Sequence, residues 1–491
     1  MTDRTRFCTS RFLTLFVFFA LMGVGAPAHS VEEDIYPQEV WLGMYMGQAR
    51  MGHTFIRSER SEYNGKPAVR TTSQSKTQMF VLGTEMKQDI EATVISDANE
   101  KPLYQEFKIV SGNKTSHVKV NFKPRSLVYT LNASGNTVTK EIPIPESAVL
   151  VGDTHMPVAG EQLKVGQTYS RMAFNPLTLT LDEIKLKVLR EESVELDGEK
   201  LNCAVIQTTT PLTDLVSWVA RPSGLPVRIE ASMGLVMVRE AGPDSVSAAY
   251  QPPKDFAVLT SVPANIDLPS SSKLKYLEVK LSGIPSAEFV LEDRRQKAPG
   301  GWREGVSVTF HITATQHARG LTANLPFSQD AFPRDLGEDP YIQPRAPEIV
   351  QQAASIVKQE KNAYAAASLI RKWVHSSMKS ESSMGVLRPS TDVLSNRTGV
   401  CRDYAILYAA LARASGIPTR MVGGLIFSRG DFYYHAWNEI WTGTQWVPMD
   451  STLPEDFVSA AHIKLTEGSA TDIYRLSRIV GQLRADIISY R

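Results

Sequence analysis

Apolar and polar residues alternate with a period of two through much of the first half of the chain. Residues 118–122 and 184–188 place Val, Ile, Leu or Phe at every second position, with mostly lysine between them. This period is typical of half-buried strands. Asn64-Gly65 and Asp197-Gly198 are hairpin signals. Because convincing long amphipathic helices are missing from this sequence pattern, it predicts a large antiparallel β region over residues 35–255.

The pattern changes twice in the second half of the chain. Strand-like runs from Leu274 to Leu281 and from Val306 to Ile312 follow a linker rich in proline and serine. They predict a small β module over residues 273–332. Helical spacing begins near Pro347, which fits the first turn of a helix. Asn362 is placed to cap the next helix, whose apolar stripe consists of Ala366, Leu369, Ile370, Trp373 and Val374.

A further helix is predicted to start at Cys401, with Thr398 as a candidate cap. Gly416 and Pro418 end it, as a C-terminal glycine and a following proline should. A thiol in the first turn lies at the positive end of the helix dipole, which favours the thiolate. Asp403 acts in the opposite direction, so we expect an imidazolium partner to supply most of the bias. One helical face is apolar, with residues at i, i+3, i+4 and i+7: Tyr404, Leu407, Tyr408 and Leu411.

A hairpin is predicted after this helix. Residues 435–441 are rich in strand formers, Thr442-Gly443-Thr444 is a turn signal, and residues 445–449 return. If the loop consists of Thr442 and Gly443, Asp450 lies directly opposite His435, with Cβ atoms about 4.5–5.5 Å apart. A three-residue loop instead places the two residues on a diagonal.

Cys401, His435 and Asp450 have the residue types of an activated nucleophile, its base and an orienting carboxylate. A free cysteine has a pKa of about 8.5, so a paired histidine or a helix start is needed for a thiolate at neutral pH. We expect His435 to take the thiol proton and later give it to the leaving amine. Asp450 is expected to accept the Nδ1 proton of His435 and fix its tautomer. The backbone N–H of Cys401 is the expected oxyanion donor.

This constellation resembles the transglutaminase-like superfamily, a branch of the papain-like cysteine enzymes. The resemblance runs from Asp339 to Leu465, and it implies that Cys401, His435 and Asp450 are a catalytic triad acting on amides. It implies a papain-like core over residues 336–465, followed by a C-terminal extension over 466–491. Its motifs are Gly399-Val400-Cys401, the segment 411–420 (LARASGIPTR), the segment 434–439 (YHAWNE) and the segment 446–450 (WVPMD).

The expected fold class is therefore α+β: a large N-terminal antiparallel β region, a small β module and a helix-then-strands catalytic core. Animal transglutaminases have a tryptophan that helps to hold the oxyanion. Trp373 lies upstream of Cys401 but on a differently patterned helix, so we do not assign it this role. Its place on the apolar stripe indicates a core residue instead.

No cofactor or metal is expected. Cys, His and Asp can all ligate zinc, but the chain has no close-spaced ligand pair such as Cys-x-x-Cys, and it has no calcium-loop pattern. Of the two cysteines that follow the N-terminal segment, Cys203 lies in a segment that is predicted to be a buried strand, and it is expected to be an inert core residue. A disulfide between Cys203 and Cys401 is the alternative.

Residues 1–28 have the features of a secretory signal peptide. A basic start precedes an apolar run, and Ala26-Pro27-Ala28 is a cleavage site of the A-x-A type. The apolar run is short for a membrane span, although an uncleaved anchor is the alternative. Cleavage changes the formal net charge from +1 to −1. We therefore expect a periplasmic or secreted protein with no integral membrane span after cleavage and no nucleic-acid partner.

Charge clusters elsewhere, such as Asp293-Arg294-Arg295 and Glu191-Glu192, are interpreted as exposed turns or strand ends. Tyr433, Tyr434 and Trp437 flank His435, where they either line a substrate cleft or pack around the hairpin.

The β-rich half is interpreted as a scaffold, with binding of a lipid or polymer as the alternative. The sequence does not indicate an oligomeric state.

Two hypotheses for the function follow. The first is an exported thiol enzyme that attacks an amide of a protein or peptide and forms a thioester at Cys401. Water as the acceptor makes it a peptidase or amidase, which we favour, and an amine makes it a transglutaminase. The second is a binding or assembly protein with a vestigial transglutaminase-like core.

Overall fold

A computed structural model describes residues 36–81, 84–112, 114–133, 135–152, 164–221, 223–242, 260–269, 271–315, 322–381 and 387–491. The predicted signal peptide, residues 1–28, lies outside these ranges. The described chain divides into two compact units, residues 36–242 and residues 260–491. Among the described helices, none has the length and apolar character needed to cross a membrane.

The first unit is built on one antiparallel sheet of fourteen strands. Two meanders leave its centre in opposite directions, and they meet where β1 pairs with β14. From one edge the order is β8-β7-β6-β5-β4-β3-β2-β1-β14-β13-β12-β11-β10-β9. The strands are β1 (Gln38–Met46), β2 (Ala49–Tyr63), β3 (Lys66–Val81), β4 (Thr84–Ser96), β5 (Pro102–Ser111), β6 (Lys114–Phe122), β7 (Ser126–Ala133), β8 (Asn136–Pro143), β9 (Thr168–Asn175), β10 (Thr180–Leu196), β11 (Glu199–Thr209), β12 (Asp214–Ala220), β13 (Pro226–Ala231) and β14 (Leu235–Glu240).

Sequence patterns in this unit translate directly into structure. Asn64-Gly65 and Asp197-Gly198 form two-residue loops with positive φ, as the tight hairpin turns at β2–β3 and β10–β11 require. Within the alternating segments, Val118 and Ile184 are fully buried while the lysines beside them point outwards. The predicted antiparallel β region is therefore confirmed.

Cys203 lies inside β11 and has no exposed surface. It packs in an apolar cluster with Val205, Trp218, Ala220 and Val227. Burial raises the pKa of its thiol, and no disulfide links Cys203 to Cys401 among the described residues. These surroundings agree with the inert core role expected from the sequence.

In its described residues, the second unit contains two main sheets, a small parallel pair and four α-helices. Five strands form the first sheet, in the order β15-β22-β21-β24 with β23 also pairing with β22, and the second has the order β17-β18-β16-β25. The strands are β15 (Val262–Pro263), β16 (Tyr276–Ser282), β17 (Gln296–Lys297), β18 (Val308–Thr313), β19 (Lys379–Ser380), β20 (Thr398–Gly399), β21 (Thr419–Ser428), β22 (Asp431–Trp441), β23 (Trp446–Met449), β24 (His462–Gly468) and β25 (Arg484–Tyr490). The helices are α1 (Pro347–Val357), α2 (Ala363–Ser377), α3 (Ser390–Asn396) and α4 (Cys401–Ala414), with a 3₁₀ helix at Asp472–Arg478.

The two helix starts predicted before Cys401, at Pro347 and at Asn362, are present in the structure. Pro347 is the first residue of α1, and the Asn362 side chain accepts the backbone N–H of Ala365 at 3.0 Å to cap α2. The predicted apolar stripe of α2 is wrong in part. Leu369 is 41% exposed and Trp373 is half-buried, because the buried face is turned towards the alanines and Arg371.

Helix α4 is the centre of the second unit. Its residues from Cys401 to Arg413 are all buried, so it carries no solvent-exposed face until its last turn. The helix lies against β22, where the Asn438 side chain donates to the Ala405 carbonyl at 3.0 Å. This contact fixes the start of α4 relative to the strand that carries His435.

A buried network of charges joins the strands next to that contact. The Lys464 ammonium on β24 lies 2.7 Å from Asp293, 3.1 Å from Glu439 and 2.9 Å from Glu467. Arg420 on β21 completes the network through Glu439 and Glu467. Each buried charge has an opposite charge beside it, which is the condition for burying charges at tolerable cost.

The interpretation of Asp293-Arg294-Arg295 as an exposed turn is wrong. Arg294 is exposed, but Arg295 is buried and its guanidinium donates to the backbone carbonyls of Ser459 and His462. Asp293 holds Lys464. A turn close to the site thus pins the beginning of β24 through buried polar contacts that the local sequence does not reveal.

The close approach of β21 to β24 generates a first prediction, for Gly424→Ala. A Cβ atom at this position would lie 1.9 Å from the Ile463 carbonyl oxygen and 2.9 Å from the Trp437 ring. The strands must separate, so we expect the free energy of unfolding to fall by about 2–3 kcal/mol. The measurement is the midpoint of urea unfolding followed by tryptophan fluorescence.

Gly300→Ala is the matched control, because nothing lies within 4 Å of a Cβ added there. Its midpoint should stay close to that of the wild-type protein. Equal midpoints for Gly424→Ala and Gly300→Ala would contradict the close packing of β21 against β24.

Candidate active site

Cys401 is placed by a tight turn that opens α4. Gly399 has a φ of +156°, and a Cβ there would lie 2.4 Å from the Asp403 carboxylate. That carboxylate accepts the backbone N–H of Val400 at 2.9 Å and closes the first helical turn. The helix cap is therefore Val400, not Thr398, which lies in β20. Cys401 is in the first turn, where backbone N–H groups have no acceptor within the helix.

The unfavourable charge expected from Asp403 is compensated. The Arg388 guanidinium lies 3.3 Å from the Asp403 carboxylate, and both side chains are buried. Arg388 also pairs with Asp392. A negative charge beside the helix start thus has a cation at its side, which the sequence did not indicate because residue 388 is distant along the chain.

His435 and Asp450 lie on the predicted hairpin, but its register differs from the expected one. Trp441 pairs with Trp446, so the turn is centred on Gly443 and Thr444 rather than on Thr442 and Gly443. The slip of two positions leaves His435 and Asp450 on a diagonal of the same face, since side chains repeat with a period of two. The pair stays in contact, with His435 Nε2 at 2.8 Å from Asp450 Oδ2.

The nitrogen that faces the carboxylate is Nε2 and not Nδ1, which corrects the expected geometry. The imidazole of His435 is also hydrogen-bonded to the Cys401 side chain. Because an imidazole has two ring nitrogens and Nε2 is turned towards Asp450, we expect Nδ1 to serve the thiol. The structure thus brings Cys401, His435 and Asp450 into one line of contacts: thiol, imidazole and carboxylate.

Electrostatics in this line favour a charged pair. Burial opposes the imidazolium form of His435, but the Asp450 carboxylate and the Cys401 side chain outweigh burial and raise the pKa of His435 to about 10. Burial likewise opposes the charged form of Asp450, yet the two neighbouring histidines hold the pKa of its carboxyl far below its usual range. At neutral pH the site therefore holds an imidazolium beside a carboxylate.

Two further residues at this site were missed by the sequence analysis. The Thr452 backbone N–H and hydroxyl donate to Asp450 Oδ1 at 2.8 and 2.6 Å. His462 Nε2 lies 3.2 Å from Asp450 Oδ2. The Asp-x-Thr spacing of 450–452 is a turn signal that points to the first contact. Nothing near His462 in the sequence points to the second.

The aromatic residues around His435 pack rather than form an open cleft. Trp437 is 1% exposed and stacks on the His435 ring with a centroid distance of 6.0 Å. Tyr434 is fully buried and donates its hydroxyl to the Ile479 carbonyl. Tyr433 keeps partial exposure. For Tyr434 and Trp437 the packing alternative is thus the one that the structure supports.

His435, Asp450 and His462 also have the composition of a cation site. Each offers one ligand atom, and these three atoms lie within 4.8 Å of one another. Two imidazoles and a carboxylate suit zinc and similar divalent cations. No metal was expected from the sequence, because it has no close-spaced ligand pair such as Cys-x-x-Cys and no calcium-loop pattern.

Comparison with protein families agrees with the resemblance read from the motifs. Residues 350–451 match the model of the transglutaminase-like superfamily. This range contains Cys401, His435 and Asp450, and it is a transglutaminase-like domain. Residues 44–238 match a family described as a protein of unknown function (DUF3108). No curated protein matches the chain significantly.

Three solved structures show partial similarity. A proposed cysteine protease from Cytophaga hutchinsonii is 20% identical, with 44% of this chain and 86% of that chain covered and a TM-score of 0.30. A β-barrel-like protein of the family of unknown function DUF1849 from Brucella abortus is 10% identical over 42% and 95%, with a TM-score of 0.31. A proposed protease from Parabacteroides distasonis is 11% identical over 75% and 67%, with a TM-score of 0.21. TM-scores this low add no argument about function.

The line of contacts generates a prediction for the chemical reactivity of Cys401. With an imidazolium beside the thiol, alkylation by iodoacetamide should remain fast at pH 6. In His435→Ala the charged partner is lost, so the rate at pH 6 should fall by about tenfold or more and rise with pH like that of an ordinary thiol. The measurement is the pH profile of modification, with each cysteine followed by mass spectrometry.

Cys203 is the internal control, because its buried thiol should stay unmodified in the folded protein at every pH tested. Identical profiles for wild type and His435→Ala would show that the two side chains do not act together.

Proposed function

We propose that this chain is an exported cysteine-dependent acyl-transfer enzyme that attacks amide bonds. Cys401 is the nucleophile, His435 the general base and acid, and Asp450 the orienting carboxylate. The proposal rests on the line of hydrogen bonds from the Cys401 side chain through the imidazole to Asp450. The match of residues 350–451 to the transglutaminase-like superfamily supports the same assignment.

The first half of the reaction makes a thioester. The Cys401 sulfur attacks the amide carbonyl, and negative charge develops on the carbonyl oxygen. The backbone N–H of Cys401 is placed to donate to that oxygen, because it lies in the first turn of α4. When the C–N bond breaks, the imidazolium of His435 gives its proton to the leaving amine. Asp450 keeps the ring in place throughout, since it holds Nε2 at 2.8 Å.

The second half depends on the acyl acceptor. Neutral His435 takes a proton from water or from an amine, which then attacks the thioester and releases Cys401. Water gives a peptidase or amidase, which we favour, and an amine gives a protein-crosslinking transglutaminase. The signal-like features of residues 1–28 support a periplasmic or secreted enzyme, for which exported proteins or peptidoglycan peptides are the candidate substrates.

One observation favours a second candidate function. The proposed triad is almost completely buried: Cys401 is 5% exposed, His435 1% and Asp450 3%. An inaccessible triad is what a binding or assembly protein with a vestigial core would have. In that case the β-rich unit carries the function and Cys401 is a packed core residue.

Amide cleavage and amine transfer test the proposal directly. Wild-type protein is incubated with proteome-derived and peptidoglycan-derived peptides, with and without dansylcadaverine, and the products are read by mass spectrometry. We expect new carboxyl termini in the hydrolysis arm, or dansylcadaverine attached to glutamine side chains if the acceptor is an amine. An acid quench should trap the acylated Cys401. All of these signals should be lost in Cys401→Ser.

The same variant separates the two candidate functions in a cell. Cys401→Ser should fail to complement a deletion strain if the protein is an enzyme, and it should complement fully if the protein is a binding module. Equal product formation by wild type and Cys401→Ser in the peptide assay would refute the catalytic proposal.

A further inference from the structure

The Asp450 carboxylate receives four hydrogen bonds. Oδ1 accepts the backbone N–H and the hydroxyl of Thr452. Oδ2 lies 2.8 Å from His435 Nε2 and 3.2 Å from His462 Nε2. An ionised carboxylate offers about four acceptor positions, so those of Asp450 are filled. Any rotation of the carboxylate breaks at least one of these contacts.

His462 is held as firmly as the residues of the proposed triad. It is the first residue of β24, is 1% exposed, and pairs in the sheet with Ile426. The buried Arg295 guanidinium donates to its carbonyl at 2.6 Å. Its ring meets Trp437 edge-on, with a centroid distance of 5.4 Å. The imidazole is therefore fixed with one nitrogen aimed at Asp450.

The groups that surround His462 decide its protonation. Asp450 faces it and favours the charged ring, whereas burial and the positive charges of His435 and Arg295 oppose it, and the pKa of His462 is lowered. His462 is therefore neutral at pH 7 and carries one ring N–H. Its Nδ1 is buried with no hydrogen-bond partner among the described residues. The proton consequently lies on Nε2, where it is donated to Asp450.

Cation binding by His435, Asp450 and His462 is the competing interpretation of the same cluster. A histidine that ligates a metal almost always donates its other ring N–H to a partner. Nδ1 of His462 lacks such a partner among the described residues, and the ring of His435 is hydrogen-bonded to the Cys401 thiol rather than to a carboxylate or carbonyl. The surroundings of both rings therefore suit a hydrogen-bond relay better than a metal site.

We propose that His462 is a positioning residue of the active site, which completes the donor set of Asp450 and keeps that carboxylate charged and aimed at His435. This inference rests on the proposed function, because it assigns His462 a part in the same Cys401–His435–Asp450 machinery. Without the His462 donor, one acceptor position of Asp450 is empty, so the carboxylate is free to turn away from His435 Nε2 and supports the His435 imidazolium less well.

Substitutions of His462 test the proposal without a known substrate. The readout is the pH profile of Cys401 alkylation by iodoacetamide, from pH 4 to pH 9. Gln places an amide N–H where Nε2 lies, whereas Asn reaches only to the position of Nδ1, and Phe has no donor. His462→Gln should keep the wild-type profile. His462→Asn and His462→Phe should move its acid limb upwards by about one pH unit, since one hydrogen bond to a charged group is lost.

His311→Phe is the matched control, because His311 lies on β18, outside the sheet that carries the site, and its ring bonds to Tyr276 on the neighbouring strand β16. This substitution should leave the profile unchanged. Should Phe prevent folding, the comparison of His462→Gln with His462→Asn still decides, since both are polar and of similar size. Wild-type profiles for folded His462→Asn and His462→Phe would overturn the positioning role.

Alkylation in the presence of zinc tests the competing metal site. If micromolar zinc protects Cys401 from alkylation in the wild-type protein but not in His462→Gln, the cluster is a metal site and the positioning role of His462 is overturned. His435→Ala distinguishes failure of this inference from failure of the proposed function. If His435→Ala leaves the pH profile of Cys401 alkylation unchanged, the proposed function fails. If His435→Ala changes the profile and His462→Asn does not, only the inference about His462 fails.

Discussion

The buried charge of Asp450 is the constraint on which the rest of the site depends. A carboxylate that is 3% exposed would bind a proton unless donors and an opposite charge replaced the water it has lost. Two donors come from Thr452, directly after the hairpin, and two come from His435 and His462 on β22 and β24. The anion is therefore stable only when three separate segments of the chain meet correctly. In its buried position, Asp450 is thus charged only when the sheet is correctly folded.

A second buried network supplies the rigidity that this meeting requires. Lys464 on β24, Glu439 on β22 and Arg420 on β21 link the three strands through buried ion pairs. Arg295, in the turn before β17, fixes the carbonyl of His462. Removing one partner from such a network costs more than the pair contributes, because a buried charge remains. The network therefore restricts the strands to one register, and the register sets the distance between His435 and Asp450.

Sequence reasoning succeeded where the signal is local. Asn64-Gly65, Pro347 and Asn362 act through their own backbone geometry, so the turns and helix starts they predicted are present. It failed where the determinant is distant. The exact hairpin turn was misplaced because Thr442-Gly443-Thr444 contains two possible two-residue loops, and packing of the strand decides between them. His462 and Arg295 were missed because their partners lie 12 and 167 residues away along the chain.

Burial of the site bears on the identity of the acyl acceptor. In a low-dielectric surrounding the interaction between an imidazolium and a thiolate is stronger than in water, which favours the nucleophile. The same burial limits which acceptor can enter the site after the first product has left. Any opening wide enough for an amide substrate admits water, whereas an amine on a protein surface also needs contacts that hold it beside Cys401. Trp437, which stacks on the His435 ring, and Tyr434, the residue before His435 on the strand, are both buried in packing and are not available to bind such an amine. This supports hydrolysis as the second half of the proposed reaction.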